Sequence, residues 1–288
     1  LRTANVNGRL AVVVDDAYSD VYEASKGRFG PDPQAIFDDW DAFKQWASTF
    51  EFQSGVPAAS SVLGPPVPAP RQIFAIGLNY RGHAAEAGLT VPSSPPTFTK
   101  FASCLVGPNA EVVLPSRNVD WEVELVVVIG RRAERVKEAD AWSYVAGLTV
   151  GQDLSERVVQ LAGPAPQFSL GKSFPGFGPT GPALVTLDEF DDPDDLELIC
   201  SVNGEVLQKG RTSDLVFSVP ELIARLSAVC PLLPGDIIFT GTPAGVGFVR
   251  KPPRFLVPSD VMLSSISVIG ELHTTFSAGV DYDDAAQN

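Results

Sequence analysis

The run Asp120-Trp-Glu-Val-Glu-Leu-Val-Val-Val-Ile129 constrains this chain more than any other segment. Its β-branched, apolar character predicts a strand, and successive strand side chains point to opposite faces. Glu122 and Glu124 therefore share one face, with Trp121, Val123, Leu125 and Val127 on the other. The glutamate face continues as Val126 and Val128, so it does not read as a wetted surface. Two like charges entering a partly buried face need a proton, a basic partner or a cation. Asp153, where a second strand runs into a short helix, supplies a third carboxylate. Three oxygen ligands completed by water suit Mg²⁺ or Mn²⁺, and suit zinc less, because no histidine or cysteine stands near. Pairing of the glutamates with surface arginine or lysine is the competing reading, and spacing alone leaves both open.

Beyond that run the chain reads as a succession of short strands, at residues 73–76, 97–101, 111–114, 145–150, 196–202, 236–240, 261–268 and 271–276. With 25 prolines and 25 glycines in 288 residues, turns are frequent and long helices few. Asn203-Gly204 predicts a two-residue hairpin turn. A helix is expected at 36–50, where Phe37, Trp40, Phe43 and Trp46 share one face. Another follows the capping-box start Ser218-Val-Pro-Glu221 and ends at Cys230-Pro231. Shorter helices are expected at 134–141 and 155–161. Strands this numerous, without regular helical alternation, predict an α+β, β-rich fold: a mixed sandwich or roll rather than a doubly wound sheet. The Pro-rich stretch 57–70 reads as a semi-rigid connector. It divides a small N-terminal α/β domain, residues 1–69, from a main domain, residues 70–288. Apart from residues 281–288 no tail is compositionally biased.

A formal net charge of −14 argues against a nucleic-acid partner, which wants clustered lysine and arginine. Cys104, Cys200 and Cys230 are too few and scattered for a disulfide framework or a zinc cluster. No segment approaches the roughly 20 apolar residues of a membrane helix, and a cytoplasmic protein with no membrane partner is expected.

Three further constellations offer chemistry. His83 and Glu86 stand three apart on a short helix after Ile76-Gly-Leu-Asn-Tyr80, and therefore share a face. A carboxylate beside an imidazole fixes its tautomer and raises its basicity, as a general base requires. Lys172, in a loop crowded with glycine and proline, would neutralise an oxyanion or carboxylate. The turn Thr240-Gly-Thr-Pro-Ala-Gly245 lacks the lysine of a phosphate-binding loop, so its amides and the Thr242 hydroxyl are expected to hold a carboxylate.

Taken together, these segments resemble the fumarylacetoacetate hydrolase family over roughly residues 70 to 276. The resemblance rests on Gly-Leu-Asn-Tyr…His83…Glu86, Glu122-Val-Glu124, Gly151-Gln-Asp153…Arg157…Gln160, Gly171-Lys172-Ser-Phe and Thr240-Gly-Thr-Pro-Ala-Gly245. It implies a β-rich roll and a homodimer. It also implies Mg²⁺ or Mn²⁺ on Glu122, Glu124 and Asp153, with water activated by His83 and Glu86. Lys172 and Gln160 would stabilise an oxyanion with Arg157 nearby, and Thr242 and Tyr80 would contact substrate. The expected reaction is hydrolysis of a C–C bond in a 1,3-diketo acid of the acylpyruvate or fumarylpyruvate type, with pyruvate leaving as an enolate. Decarboxylation of oxaloacetate, or isomerisation or dehydration of a 2-oxo acid, would use the same site. Pro175 and Val158 replace acids common in the family, which bears on the substrate.

Overall fold

Two sheets pack face to face, in a computed structural model that describes residues 1–14, 17–51, 55–57, 62–280 and 282. Among the described residues the larger sheet has twelve strands. From one interior position to its edge it runs Arg2–Val6, Gly178–Val185, Val145–Gln152, Val123–Ile129, Ile237–Phe239, Ile73–Ile76 and Thr97–Thr99. The second sheet has five, in the order Glu205–Arg211, Glu197–Val202, Val261–Ile266, Gly270–Ala278 and Asn109–Leu114. Most neighbours are antiparallel. Ile237–Phe239 beside Ile73–Ile76, and Gly270–Ala278 beside Asn109–Leu114, are parallel, so the fold is mixed, α+β and β-rich.

Alternation along Val123–Ile129 decides the layers. Val123, Leu125 and Val127 join Leu198, Val202, Met262 and Phe276 in the core between the sheets. Val126 and Val128 face the other way, into a second core with Phe37, Trp40 and Phe43. Every residue of this strand is buried, as a strand covered on both faces must be. The covering helix is shorter than its periodicity predicts. A 3-10 turn, Ala35–Asp39, precedes the α-helix Trp40–Ala47, because Asp39 leaves helical backbone at φ −134°, ψ 35°.

The hairpin turn forms at Asn203 and Gly204, both at positive φ (53° and 81°), joining Val202 to Glu205. Ser218 caps the helix Val219–Ser227 by accepting from the Glu221 amide at 3.3 Å. Two expected helices differ. Arg135 sits at φ 51°, in the left-handed region, so helical structure begins only with the 3-10 segment Glu138–Tyr144. Ser155–Glu156 is a strand paired with Val119–Asp120, leaving only Arg157–Gln160 helical.

The division expected near residue 69 does not interrupt the sheet. Arg2–Val6 pairs with Gly178–Val185, and Leu10 and Val12 share a core with Ile73, Val126 and Phe239. Of the Pro-rich connector, residues 58–61 lie outside the described residues, and Leu63–Gly64 pairs with Arg2–Val6. The tail 281–288 also lies outside them, except Tyr282. Among the described residues no helix is long and apolar enough to cross a membrane.

Candidate metal and catalytic site

Strand register assembles the carboxylates. Val123 pairs with Gln152 and Glu124 with Gly151, and one rung further out the Asp153 amide donates to the Glu122 carbonyl at 2.9 Å. Opposed residues on neighbouring strands project to the same side, so the pairing carries Asp153 to the two glutamates. One oxygen from each of Glu122, Glu124 and Asp153 lies within 4.8 Å of the others, and all three residues are buried. Glycine is required at 151, since a Cβ there would stand 2.4 Å from Val126 Cγ2 and 2.8 Å from the Phe239 ring. Two buried glutamines secure the start of the ligand strand. Gln152 Oε1 accepts from the Glu122 amide at 2.9 Å, and Gln208 Oε1 accepts from the Val123 amide at 3.0 Å.

Cations interleave with these acids. Lys172 caps the short helix Phe168–Gly171 and is 2% exposed rather than lying on an open loop. Its Nζ donates to Glu122 Oε2, Asp153 Oδ2 and Ser155 Oγ, each at 2.7 Å, which uses all three protons. Arg157 holds Asp120 Oδ2 through Nε (3.0 Å) and Nη2 (2.6 Å). Its Nη1 reaches Glu122 Oε1 at 2.7 Å and Gln160 Oε1 at 2.9 Å. Lys100, which the sequence reading missed, holds Asp153 Oδ1 at 2.7 Å with its side chain fully buried. Asp120, also missed, accepts in addition from the Gly247 and Phe248 amides.

The chain of ion pairs from Asp120 through Arg157, Glu122, Lys172 and Asp153 to Lys100 is balanced in charge. Glu124 is the charge left over. It accepts from the Gly241 amide at 2.8 Å, and no lysine or arginine among the described residues pairs with it. Burial, then the neighbouring Asp153 and Glu122 charges, push its carboxyl well above the usual carboxylate range. Burial acts on Glu122 in the same sense, but Lys172 and Arg157 together outweigh it and hold that carboxyl at about 2. An unbalanced buried carboxylate beside two others, all oxygen donors, fits a hard divalent cation.

A cavity of about 210 Å³ opens on this cluster, with Leu78, Leu89, Phe98, Phe168 and Phe248 among its apolar walls. His83, on the helix Arg81–Glu86, also lines it. His83 Nδ1 lies 2.7 Å from Glu86 Oε1, and Glu86 Oε2 accepts from the Gly245 amide at 2.8 Å. A carboxylate accepts, so in the neutral imidazole Nδ1 carries the proton and Nε2 the lone pair.

Substrate-binding groups are distributed differently from expectation. The Thr242 hydroxyl lines the cavity but donates to the Val123 carbonyl at 2.9 Å and accepts from Gln208 at 2.8 Å. Three amides of its loop, those of Gly241, Gly245 and Gly247, are spent on Glu124, Glu86 and Asp120. Arg157 is committed to Asp120, Glu122 and Gln160, and Gln160 also lines the cavity, with no partner for its amide N–H₂ among the described residues. Tyr80 does not line this cavity. It is 2% exposed with its hydroxyl unpartnered among the described residues, because Tyr80 enters the helix from a β-bridge to Leu215 that turns it inward.

A β-rich sandwich carrying a buried carboxylate–lysine cluster with a histidine–glutamate pair at its cavity defines a class of metal-site enzymes. A family model described as fumarylacetoacetate (FAA) hydrolase C-terminal matches residues 72–277, and the chain belongs to that family. It is 48% identical over 207 residues to the mitochondrial oxaloacetate tautomerase FAHD2A of Homo sapiens, covering 71% of this chain and 66% of that protein. The chain thus spans just under two thirds of that relative. A Mycobacterium smegmatis structure carrying the provisional name HpcE is 53% identical, with a TM-score of 0.94 over 97% of this chain and 100% of that one. Maleylpyruvate hydrolase from Sphingobium sp. SYK-6, in complex with manganese(II) and pyruvate, is 32% identical, with a TM-score of 0.78 over 97% and 100% of the two chains.

Proposed function

We propose that this chain is a divalent-metal-dependent enzyme that moves a proton beside the ketone of a 2-oxo acid, interconverting enol and keto forms of an oxaloacetate-type substrate. The observation that carries the reading is His83, a base with one free nitrogen, lining the same cavity as the buried glutamates. Held by Glu122, Glu124 and Asp153, Mg²⁺ or Mn²⁺ would supply a Lewis acid that acidifies the carbon beside the ketone. The rest falls to the chain's own side chains. Glu86, itself fixed by the Gly245 amide, orients the imidazole and keeps the proton on Nδ1. Nε2 takes a proton from the carbon and returns it to the enol oxygen, or the reverse, so no net proton is gained or lost. Gln160 offers its free amide protons to a substrate oxygen, and the apolar walls limit competing water.

Tautomerisation asks for a single base. Hydrolysis of a C–C bond also asks for donors to take the charge of an attacked second carbonyl, and Lys172 and the Gly241 and Gly245 amides are already engaged. Similarity to the human oxaloacetate tautomerase supports the same choice. Hydrolysis of an acylpyruvate-type diketo acid is the second reading, favoured by the likeness to maleylpyruvate hydrolase. Assays of enol-oxaloacetate and acetylpyruvate with Mg²⁺ and with Mn²⁺ separate the two. The proposal expects accelerated ketonisation of oxaloacetate with its carbon skeleton intact. Cleavage of acetylpyruvate to pyruvate and acetate, with oxaloacetate converting at its uncatalysed rate, would replace it with the second reading.

A further inference from the structure

Lys100 has no place in the chemistry just described, yet it is among the most completely buried side chains of the molecule. It does not line the cavity. Its Nζ donates to Asp153 Oδ1 at 2.7 Å and to the backbone carbonyl of Lys172, and lies 5.8 Å from the Phe239 ring centre. A lysine is seldom buried without a strong reason, since desolvating its charge is costly unless the partners repay it. Here both partners belong to the site. Asp153 is a proposed metal ligand, and Lys172 bridges that ligand to Glu122.

The charges around it give the reason. Asp120, Glu122, Glu124 and Asp153, all ionised as a bound cation requires of Glu124, are countered by Arg157, Lys172 and Lys100, which leaves one negative charge. A divalent cation turns that into one positive charge, which attracts an anionic substrate. With Lys100 neutral, the same cluster would stand at two negative charges before the cation and at zero after it. The cation would be held more strongly, and the anion more weakly.

We propose that Lys100 is a positioning residue that sets the charge of the site. It weakens metal binding in order to keep the loaded site positive toward the 2-oxo acid, and fixes Asp153 and Lys172 relative to each other. The inference rests on the metal site proposed above. Its particular consequence is that loss of the Lys100 charge moves metal and anion affinity in opposite directions. A merely structural lysine would weaken both.

The test is calorimetric titration of the full chain, wild type and Lys100→Met, with Mn²⁺, then of the Mn²⁺-loaded proteins with oxalate as an unreactive two-oxygen anion. Lys100→Met should bind Mn²⁺ about tenfold or more tightly and oxalate about tenfold or more weakly, given the short distances in a poorly screened interior. Its metal-free form should melt at a lower temperature, with Asp153 left to Lys172 alone, and recover more on adding Mn²⁺ than the wild type does. Lys100→Gln keeps a donor without the charge, and should follow Lys100→Met in both affinities. Lys100→Gln behaving like the wild type would reduce Lys100 to a hydrogen-bond donor and overturn the charge-setting role. Equal or weaker Mn²⁺ binding in Lys100→Met would overturn it too. Failure of the wild type to bind Mn²⁺ would remove the metal reading itself, and this inference with it.

Discussion

His83 gains its chemistry from two contacts on either side of Glu86, and both are testable. His83→Ala should lower turnover by about 10²–10⁴-fold, the usual range for a general base, while leaving Mn²⁺ affinity unchanged. A parallel fall in metal affinity would place His83 in the metal site instead. The carboxylates carry a signature of their own in pH. The folded-state pKa of Glu124 is raised, so its contribution to the stability of the metal-free protein is present below the ordinary carboxylate range. That contribution is lost as pH rises through the raised value. Thermal unfolding in EDTA should therefore show stability falling on the alkaline side of that range, and Glu124→Gln should abolish the fall. An identical profile in the variant would contradict the assignment. Glu122, held at about 2, acts in the opposite sense, its contribution present above the unfolded value and lost as pH falls toward 2. At this scale the sequence was informative where spacing has a geometric meaning. Strand alternation put Glu122 and Glu124 together, and helical spacing put His83 beside Glu86. Lys100 was silent because its partner lies 53 residues away, and a lone lysine after a short strand has no pattern to reveal it.

Among the elements, the ligand strand depends on side chains where its ladder is unmade. Gln208 serves the Val123 amide and, through Nε2, Thr242 and the Pro243 carbonyl. Gln208→Leu should destabilise the protein by about 1–3 kcal/mol, the cost of leaving a buried polar group unpaired, and weaken Mn²⁺ binding as the strand end loosens. Denaturant unfolding checks the first effect and titration the second; wild-type values in both would assign the anchoring elsewhere. Strands rich in valine and isoleucine were legible as strands. Gly178–Val185 was not, because its glycines and prolines read as turn. The glycine at 178 is there for close packing, since a Cβ would stand 2.9 Å from Cys104 Sγ. The helix expected at 134–141 failed for the converse reason: one backbone angle, the positive φ of Arg135, overrode favourable composition.

For the whole molecule, the N-terminal segment forms part of the shell of the catalytic sheet. Phe37, Trp40 and Phe43 cover Val126 and Val128, the continuation of the glutamate face. The composition shift near residue 57 is visible in the sequence, but pairing of Arg2–Val6 with a strand some 180 residues later depends on tertiary contacts that local pattern cannot report. Heat or denaturant should therefore unfold the metal-free chain in one cooperative transition. Trp40→Ala should lower stability by about 3–5 kcal/mol and shift that whole transition. Two separate transitions, with only the first moved by Trp40→Ala, would show the N-terminal segment to be an independent unit.

The central claim is that a base at His83 and a divalent ion on Glu122, Glu124 and Asp153 together labilise the proton beside a 2-oxo acid's ketone. Proton exchange reports this directly, whichever reaction follows. With pyruvate in D₂O, nuclear magnetic resonance should show methyl protons replaced by deuterium in the presence of protein and Mg²⁺. Exchange should fall to the background rate in EDTA and, with Mg²⁺ present, in His83→Ala. Exchange at the background rate in the Mg²⁺-loaded wild type, or undiminished exchange in His83→Ala, would contradict the account.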